Sequence, residues 1–138
     1  MAAQTYAIPK NLARVLIRNM RSDDEHFNAF VKQWLAEKTI KLYTHQRNTT
    51  ILSFALLSKC DFDPLKEYDE SWIINYVYTF PEYRRTGAAK EILKTIKLYN
   101  NASAFCCNIE SEKLFVSAGY KNHGIQPGLG PIPLYRTT

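Results

Sequence analysis

The sequence predicts an α/β domain in which helices flank a central β-sheet. The main observation is segment 72–99, where an apolar stretch of strand length is followed by a basic turn and a helical pattern. Short apolar stretches and helical patterns alternate along the rest of the chain, as in mixed α/β domains. A length of 138 residues fits one domain spanning residues 1–138, and 46% apolar residues suffice for a core.

The composition and the charge of the chain disfavour several classes of function. The net charge of +5 is a modest excess, and no helix-turn-helix, zinc-finger or RNA-stacking pattern accompanies it, so nucleic-acid binding is not favoured. No apolar run could cross a bilayer, and the first residues lack the apolar core of a secretory signal. The three cysteines have no metal-ligand spacing, and reduced thiols indicate the cytoplasm or the nucleus. We therefore expect no metal site and no membrane partner.

In the N-terminal part, we expect residues 1–13 to be irregular and residues 15–20 to form the first strand. Ser22 and Glu25 have the spacing of a capping box, which predicts that a helix begins there. The apolar residues of this helix fall on one face, for which core packing is favoured over contact with a substrate. They are Phe27, Phe30, Val31, Trp34 and Leu35.

Two further strands are predicted at residues 40–43 and 51–57, joined by a polar turn. His45 lies near that turn, and we expect it to be solvated. The connection of residues 60–70 is acidic within a basic protein. Two interpretations stay open: a solvated loop, or an acidic rim that attracts a cationic amine.

The segment 72–80 is apolar at nearly every position, which predicts a strand buried on both faces and central in the sheet. Pro81 ends it, because proline has no N–H to donate. The turn of residues 84–87 carries two arginines and Gly87, which accepts backbone angles that other residues resist. The N–H groups that open the next helix have no internal partners, so this turn predicts a site for phosphate or diphosphate.

Downstream, we expect a short buried strand at residues 102–107 and a capped helix within residues 108–120, ended by Gly119. The tail is rich in turn-forming residues, and residues 132–136 fit the last strand. The prolines around that strand favour an edge position in the sheet.

Two motifs resemble those of the Gcn5-related N-acetyltransferases (GNATs). The turn Arg84-x-x-Gly87-x-Ala89 is similar to their acetyl-CoA-binding motif, which reads Gln/Arg-x-x-Gly-x-Gly/Ala. A second GNAT signature matches in register at Asn108, Ser111, Leu114, Gly119 and Tyr120. The resemblance covers roughly residues 14 to 122, and it implies a mixed sheet that splays after the core strand, with the element order β-α-β-β-β-α-β-α-β.

The resemblance implies acetyl-CoA as the cosubstrate and direct transfer of acetyl to a primary amine, such as a protein lysine or N-terminus, a polyamine or a small amine. It implies a bulge on the core strand that frees the backbone groups of residues 78–80 near the end of the strand, and the pantetheine arm would pair with these groups. The implied acetyl-CoA-binding residues are Tyr78, Thr79, Phe80, Arg84, Arg85, Thr86, Gly87, Ala88, Ala89, Lys90, Asn108 and Ser111.

The catalytic residues stay unknown at this stage. Where the family usually has a general-acid tyrosine, this sequence has Phe115, and the core strand carries no carboxylate. Tyr78 and Tyr120 are weak candidates that would assist a water-mediated route. The alternative to an enzyme is a regulatory module that binds acetyl-CoA with little or no turnover. The short tail leaves the acceptor side either open or completed by a partner chain, for example in a homodimer.

Overall fold

The computed structural model describes residues 3–20, 25–68, 71–106 and 108–138. In these ranges it contains seven strands and four helices. The strands are β1 (Gln4–Ile8), β2 (Ile40–Arg47), β3 (Thr50–Cys60), β4 (Ser71–Thr79), β5 (Ala102–Phe105), β6 (Lys121–Asn122) and β7 (Leu134–Arg136). The helices are α1 (Lys10–Asn19), α2 (Glu25–Ala36), α3 (Ala88–Tyr99) and α4 (Ile109–Ser117). None of these helices is long and apolar enough to cross a membrane.

The strands form one mixed sheet in the order β1-β2-β3-β4-β5-β7-β6. Neighbouring strands are antiparallel except for β4 and β5, which are parallel and connected through α3. The predicted class, a mixed α/β sheet flanked by helices, is confirmed, and so is the central position of β4. Compared with the predicted element order, the chain has two helices rather than one before β2, and two short strands after α4.

Helices cover both faces of the sheet. On one face, α3 and α4 bury Ile92, Leu93 and Phe115 against strands β2–β5. On the other face, α1 and α2 contribute a second cluster that includes Phe27 and Trp34, both almost fully buried. The Trp34 indole N–H donates to the carbonyl of Leu57 at 3.0 Å, which fixes α2 to the centre of the sheet. The core-facing prediction for α2 is therefore confirmed at these two residues.

The predicted first strand at residues 15–20 is wrong, because residues 10–19 form helix α1. Ala13 and Ile17 lie one helical turn apart and are buried, whereas neighbouring Leu12 and Val15 are exposed. The expectation of an irregular N-terminus is also wrong for residues 4–8, which form β1 and pair with β2. The capping-box residue Ser22 lies outside the described residues.

His45 is not solvated as expected. It lies within β2, is 8% exposed, and its Nδ1 is 2.8 Å from the Thr5 hydroxyl across the β1–β2 pair. Burial lowers the pKa of His45, because the charged imidazolium would lose its hydration there. β2 extends to Arg47, beyond the segment 40–43 that its apolar pattern predicted, and His45 lies in this extension.

The core strand contains the expected bulge, and the structure places it at Asn75. Leu56 of β3 pairs with Tyr76 and Leu57 pairs with Ile74, so Asn75 is the extra residue in β4. Its side-chain oxygen accepts a 2.8 Å hydrogen bond from Ser58. An asparagine inside an otherwise apolar strand was the signal for this irregularity, since asparagine is depleted in strands.

The last strand differs from prediction in both its length and its position in the sheet. β7 is shorter than predicted and is not an edge strand, because it pairs with β5 on one side and β6 on the other. The prolines do not interrupt the ladder, since they precede the strand; the Cys106 N–H still donates to the Pro133 carbonyl at 3.3 Å. The predicted strand at residues 102–107 ends at Phe105, and Cys107 lies outside the described residues.

Candidate functional site

A groove with a volume of about 520 Å³ opens where β4 and β5 separate. Among the described residues, their ladder consists of the pairs Trp72–Ala102 and Ile73–Ser103, so the second half of β4 has no strand on that side. The groove is lined by Tyr76, Val77, Tyr78, Thr79, Arg84, Arg85, Ala89, Glu110 and Leu114. It therefore lies between the end of β4, the turn before α3, and α4.

The backbone of β4 presents free edge positions to this groove. Tyr78 directs its carbonyl towards β3, where it accepts a 2.7 Å hydrogen bond from the Ser53 hydroxyl, and the Phe80 N–H donates to the Leu52 carbonyl at 3.0 Å. Main-chain groups of successive residues point to opposite sides of a strand. Val77 and Thr79 therefore direct theirs away from β3 and into the groove.

The turn that follows β4 is held in a compact shape by local hydrogen bonds. Arg84 donates from Nε to the Thr79 carbonyl at 2.9 Å, and its guanidinium lies 5.5 Å from the centre of the Tyr78 ring. The Thr86 hydroxyl donates to the Tyr83 carbonyl at 2.5 Å. Arg85 has a positive φ of 66°, which is unusual for a residue with a side chain. These features bend the chain so that α3 begins beside the groove.

Gly87 occupies the N-cap position of α3 with φ 84°, in the left-handed region. No side chain caps this helix, and no heavy atom lies within 4 Å of where a Cβ on Gly87 would be. The first intrahelical bond is donated by Glu91 to the Gly87 carbonyl, at 3.0 Å. The N–H groups of residues 88–90 consequently have no carbonyl within the helix to donate to.

A second depression of about 180 Å³ lies over this helix start and shares five lining residues with the groove, among them Arg84 and Arg85 of the turn. It is lined by Thr79, Tyr83, Arg84, Arg85, Gly87, Ala88, Ala89, Lys90 and Leu114. Amides without helical partners, the positive end of the helix dipole and cationic side chains together favour an anion here.

Most of the predicted binding residues lie together in these two depressions. Tyr78, Thr79, Arg84, Arg85, Gly87, Ala88, Ala89 and Lys90 line one or both of them. Thr86 lies between Arg85 and Gly87 but lines neither. Phe80 packs edge-on against Tyr78, with ring centres 5.2 Å apart, and joins the cluster beneath α1 and α2.

Asn108 and Ser111 lie apart from the groove. The Asn108 side chain accepts a 2.8 Å hydrogen bond from the Ser111 N–H, which caps the start of α4. α4 instead lines the groove with Glu110 and Leu114, one helical turn apart. Sequence reasoning missed Glu110 because no pattern distinguishes it from the other acidic residues in the first turn of the helix.

The two tyrosines proposed as weak catalytic candidates differ in position. Tyr78 lines the groove. Tyr120 does not; its hydroxyl donates to the Leu93 carbonyl at 2.9 Å, and burial raises the pKa of the phenol. Phe115 is 5% exposed, and its ring packs edge-on against Tyr120 at 5.0 Å between centres. Neither Tyr120 nor Phe115 offers a proton donor to the groove.

The acidic connection between β3 and β4 is partly structural. Asp63 is buried and receives two hydrogen bonds from the Arg136 guanidinium, at 2.8 and 3.0 Å. Burial alone would raise the pKa of Asp63, but these bonds and those from the Glu67 and Tyr68 N–H groups lower it overall. Asp63 thus joins the connection to β7 and is removed from any acidic rim.

Topology also separates this connection from the groove. It enters β4 at Ser71, whereas the groove lies at the Thr79 end, roughly 25 Å away along the strand. Asp61 and Glu67 are exposed, and Asp69 and Glu70 lie outside the described residues. Within the described ranges, no group of three or more His, Cys, Asp or Glu side chains could hold a metal ion.

No protein-family model matches the sequence, and no curated protein matches it either. Solved structures do match in fold. The KacTA–DNA complex has 12% sequence identity and a TM-score of 0.67, over 99% of this chain and 94% of that one. AtaTR bound with AcCoA has 12% identity and a TM-score of 0.66, over 98% of this chain and 93% of that one.

A third structure, from Desulfovibrio desulfuricans, is assigned to the GNAT family of acetyltransferases. It has 9% identity and a TM-score of 0.66, over 98% of both chains. At these identities the likeness concerns the fold alone. The chain has the fold of the GNAT acetyltransferases, as the two sequence motifs predicted.

Proposed function

We propose that this protein binds acetyl-CoA in the groove and transfers its acetyl group to a primary amine. The observation that carries the proposal is the continuity of two free backbone surfaces. The open edge of β4 at Val77 and Thr79 leads to the start of α3, where the N–H groups of residues 88–90 have no helical partners. A thioester carrier with an amide-containing arm and a diphosphate needs this combination of partners.

The diphosphate would lie at the start of α3. Three residues whose N–H groups have no helical partners line the depression there, and Arg85 and Lys90 add positive charge. The absence of any atom near a Cβ on Gly87 leaves room for a phosphate to approach the backbone. Thr86 and Gly87 belong to this part of the site through the turn that they form.

The pantetheine arm would run along the open side of β4. Val77 and Thr79 offer the main-chain groups there, so the pairing involves alternate residues rather than the run from Tyr78 to Phe80. Arg84 already donates to the Thr79 carbonyl, which leaves the Thr79 N–H for a ligand. At the far end of the groove, the bulge at Asn75 interrupts the regular ladder, and an N–H in that region would stabilise the developing charge on the thioester oxygen.

The reaction would be a direct transfer. The neutral amine nitrogen attacks the thioester carbonyl carbon, the C–N bond forms, the C–S bond breaks, and the amine proton is transferred to the departing thiolate. Water in the groove would carry this proton, because the Tyr120 hydroxyl is hydrogen-bonded to the Leu93 carbonyl and Phe115 has no hydroxyl. Of the two predicted tyrosines only Tyr78 lines the groove, and its ring packs against Phe54 and Phe80 in the core.

The hydrogen-bonded Tyr120 hydroxyl and the missing hydroxyl at Phe115 also favour a second candidate function, an acetyl-CoA-binding regulatory module. A buried phenylalanine at the family's general-acid position and a hydrogen-bonded Tyr120 remove two proton donors from the site. The binding surface on α3 does not depend on either residue. The two functions therefore share the ligand and differ in turnover.

An acceptor screen distinguishes them. Release of free CoA thiol from acetyl-CoA is measured with lysine peptides, peptide N-termini, polyamines and small amines, and binding is measured in parallel by calorimetry. Binding with amine-dependent thiol release supports the enzyme. Binding without release with any amine favours the module, and no binding at millimolar acetyl-CoA refutes both.

A further inference from the structure

The groove has a closed inner end, at the point where β4 and β5 join. Among the described residues of β4, Tyr76 is the innermost that lines the groove. Three residues before it, Ile73 pairs with Ser103 of β5, and Trp72 pairs with Ala102 just behind. An arm that enters along the open edge of β4 therefore reaches its limit beside Tyr76.

Tyr76 borders the groove with its side chain. It pairs with Leu56 of β3, as Tyr78 pairs with Phe54, so the main-chain groups of both tyrosines point towards β3. The Tyr76 ring belongs to the apolar cluster on the α2 side of the sheet. The residue is half-buried and lines the groove, so the ring contributes to the wall of the inner end.

Neighbouring rings hold Tyr76 in place. Its ring centre lies 5.0 Å from that of Phe27 on α2 and 6.3 Å from that of Phe54 on β3. The Tyr78 ring is almost parallel to it, with 6.2 Å between the centres and an angle of 10°. Phe27 and Phe54 are almost fully buried. Because a displaced ring would have to find new space in this close-packed cluster, the wall that Tyr76 forms is rigid.

Apolar side chains confine the inner part of the groove on both sides of β4. On the α4 side, Val77 and Leu114 line the groove and pack against the core cluster of α3 and α4. On the α2 side stands the Tyr76 ring. A small apolar group at the end of a ligand arm fits between these walls, and it loses contact with water there.

We propose that Tyr76 limits the length of the acyl group, so that the groove accepts an acetyl thioester and rejects thioesters of longer acids. This inference rests on the proposed function, because it takes the pantetheine arm to run along the open edge of β4 and to carry the thioester to the inner end. The acetyl methyl group then contacts the Tyr76 ring. Each further CH₂ group has to displace that ring or overlap with it, and overpacking of this kind weakens binding.

Binding measurements test the inference without requiring turnover. Isothermal titration calorimetry on the full chain determines the dissociation constants of CoA, acetyl-CoA, propionyl-CoA, butyryl-CoA and hexanoyl-CoA. Free CoA reports on the arm and the diphosphate, and the ratio of each acyl-CoA to CoA reports on the acyl group. For the wild type, we expect butyryl-CoA and hexanoyl-CoA to bind at least about tenfold more weakly than acetyl-CoA.

Two variants shorten or loosen the wall. Tyr76→Leu keeps an apolar contact with Phe27 but removes the ring, so butyryl-CoA should bind within about threefold of acetyl-CoA. Tyr76→Met is the second variant, because its flexible side chain fills the space and still moves aside for a ligand. Phe30→Leu is the matched control: Phe30 packs against the same cluster but is not among the residues that line the groove. Its chain-length profile should remain that of the wild type.

Equal affinity of the wild type for acetyl-CoA, butyryl-CoA and hexanoyl-CoA would overturn the inference and leave the proposed function intact. A preference for acetyl-CoA that persists in folded Tyr76→Leu and Tyr76→Met would overturn it too, since another wall would then set the limit. An equal loss of preference in Phe30→Leu would have the same consequence. If neither CoA nor acetyl-CoA binds at millimolar concentration, the proposed function itself fails, and this inference fails with it.

Discussion

Gly87 offers the clearest test of the anion site, through a comparison of Gly87→Glu with Gly87→Gln. The two variants add side chains of almost equal size at a position with φ 84° and no heavy atom within 4 Å of the new Cβ. Both lose about 1–2 kcal/mol of unfolding free energy, because a residue with a side chain is strained in the left-handed region. They differ in one negative charge at the helix start.

That charge has opposite effects on stability and binding. A carboxylate at the N-cap of α3 interacts favourably with the helix dipole, so Gly87→Glu should be about 0.3–1 kcal/mol more stable than Gly87→Gln. For a bound diphosphate, the same carboxylate costs about 1 kcal/mol per phosphate charge at 4 Å in water. Two charges give about 2 kcal/mol, or about 30-fold weaker acetyl-CoA binding.

Isothermal titration calorimetry with acetyl-CoA at about 0.15 M salt measures the difference, and urea unfolding measures stability. Gly87→Gln is the matched control, since it reproduces the strain and the bulk. The reasoning is refuted if the two variants bind acetyl-CoA equally well while both are folded. In that case the diphosphate does not lie at the start of α3.

Further predictions concern single side chains. Arg85→Gln should weaken acetyl-CoA binding, and the loss should be larger at about 0.02 M salt than at about 0.5 M, because salt screens exposed charges. The control Lys121→Gln, on β6, should not change acetyl-CoA binding at either salt concentration. Equal losses of affinity at both salt concentrations for Arg85→Gln would contradict an electrostatic role. Tyr120→Phe should lower the unfolding free energy by about 1–3 kcal/mol, because the Leu93 carbonyl loses its buried donor. The same variant should keep the kcat of the wild type. A large loss of kcat in a stably folded variant would show that Tyr120 is catalytic. Asp63→Asn should lower the unfolding free energy at pH 7 by about 3–5 kcal/mol, because Arg136 stays buried without its counter-charge. The folded-state pKa of Asp63 is lowered, so its stabilising contribution is present above the unfolded pKa near 4 and is lost as pH falls through the folded value. Urea titrations should therefore show the difference between wild type and Asp63→Asn shrinking towards pH 2, and a difference independent of pH would contradict this account.

The segment around the site could be predicted because its local patterns have one interpretation. The strand predicted at residues 72–80 is β4 at Ser71–Thr79, and the helix predicted to follow the turn is α3. A nearly continuous apolar run and a clear helical stripe leave little ambiguity. The positive φ of Gly87 was also expected from its place in the turn.

Other features depend on contacts that are distant in sequence. Residues 15–17 are consecutively apolar, and such a run has the same appearance in a strand and in a helix with exposed aliphatic residues. β1 has no fully buried position and acquires its strand structure by pairing with β2. Asp63 is buried against Arg136, 73 positions away, and no local pattern reveals such a pair.

In the candidate site too, features set by local sequence were predicted, and features set by distant contacts were not. The turn and the helix start were predicted, since their chemistry is local. The side of the groove formed by α4 was not: the motif residues Asn108 and Ser111 cap the helix, and Glu110 and Leu114 line the groove. Which residues of α4 face β4 depends on how the helix is rotated when it packs, and Phe115 and Ala118 decide this by entering the core.

An NMR titration of ¹⁵N-labelled protein with acetyl-CoA tests directly whether the ligand binds at the start of α3 and along β4. We expect the largest amide shifts at residues 87–90, followed by Val77 and Thr79 on the open side of β4. The amide resonances around Asp63, in the connection that precedes the other end of β4, should not shift. Shifts concentrated near Asp63, or absent from residues 87–90 at saturating ligand, would contradict it.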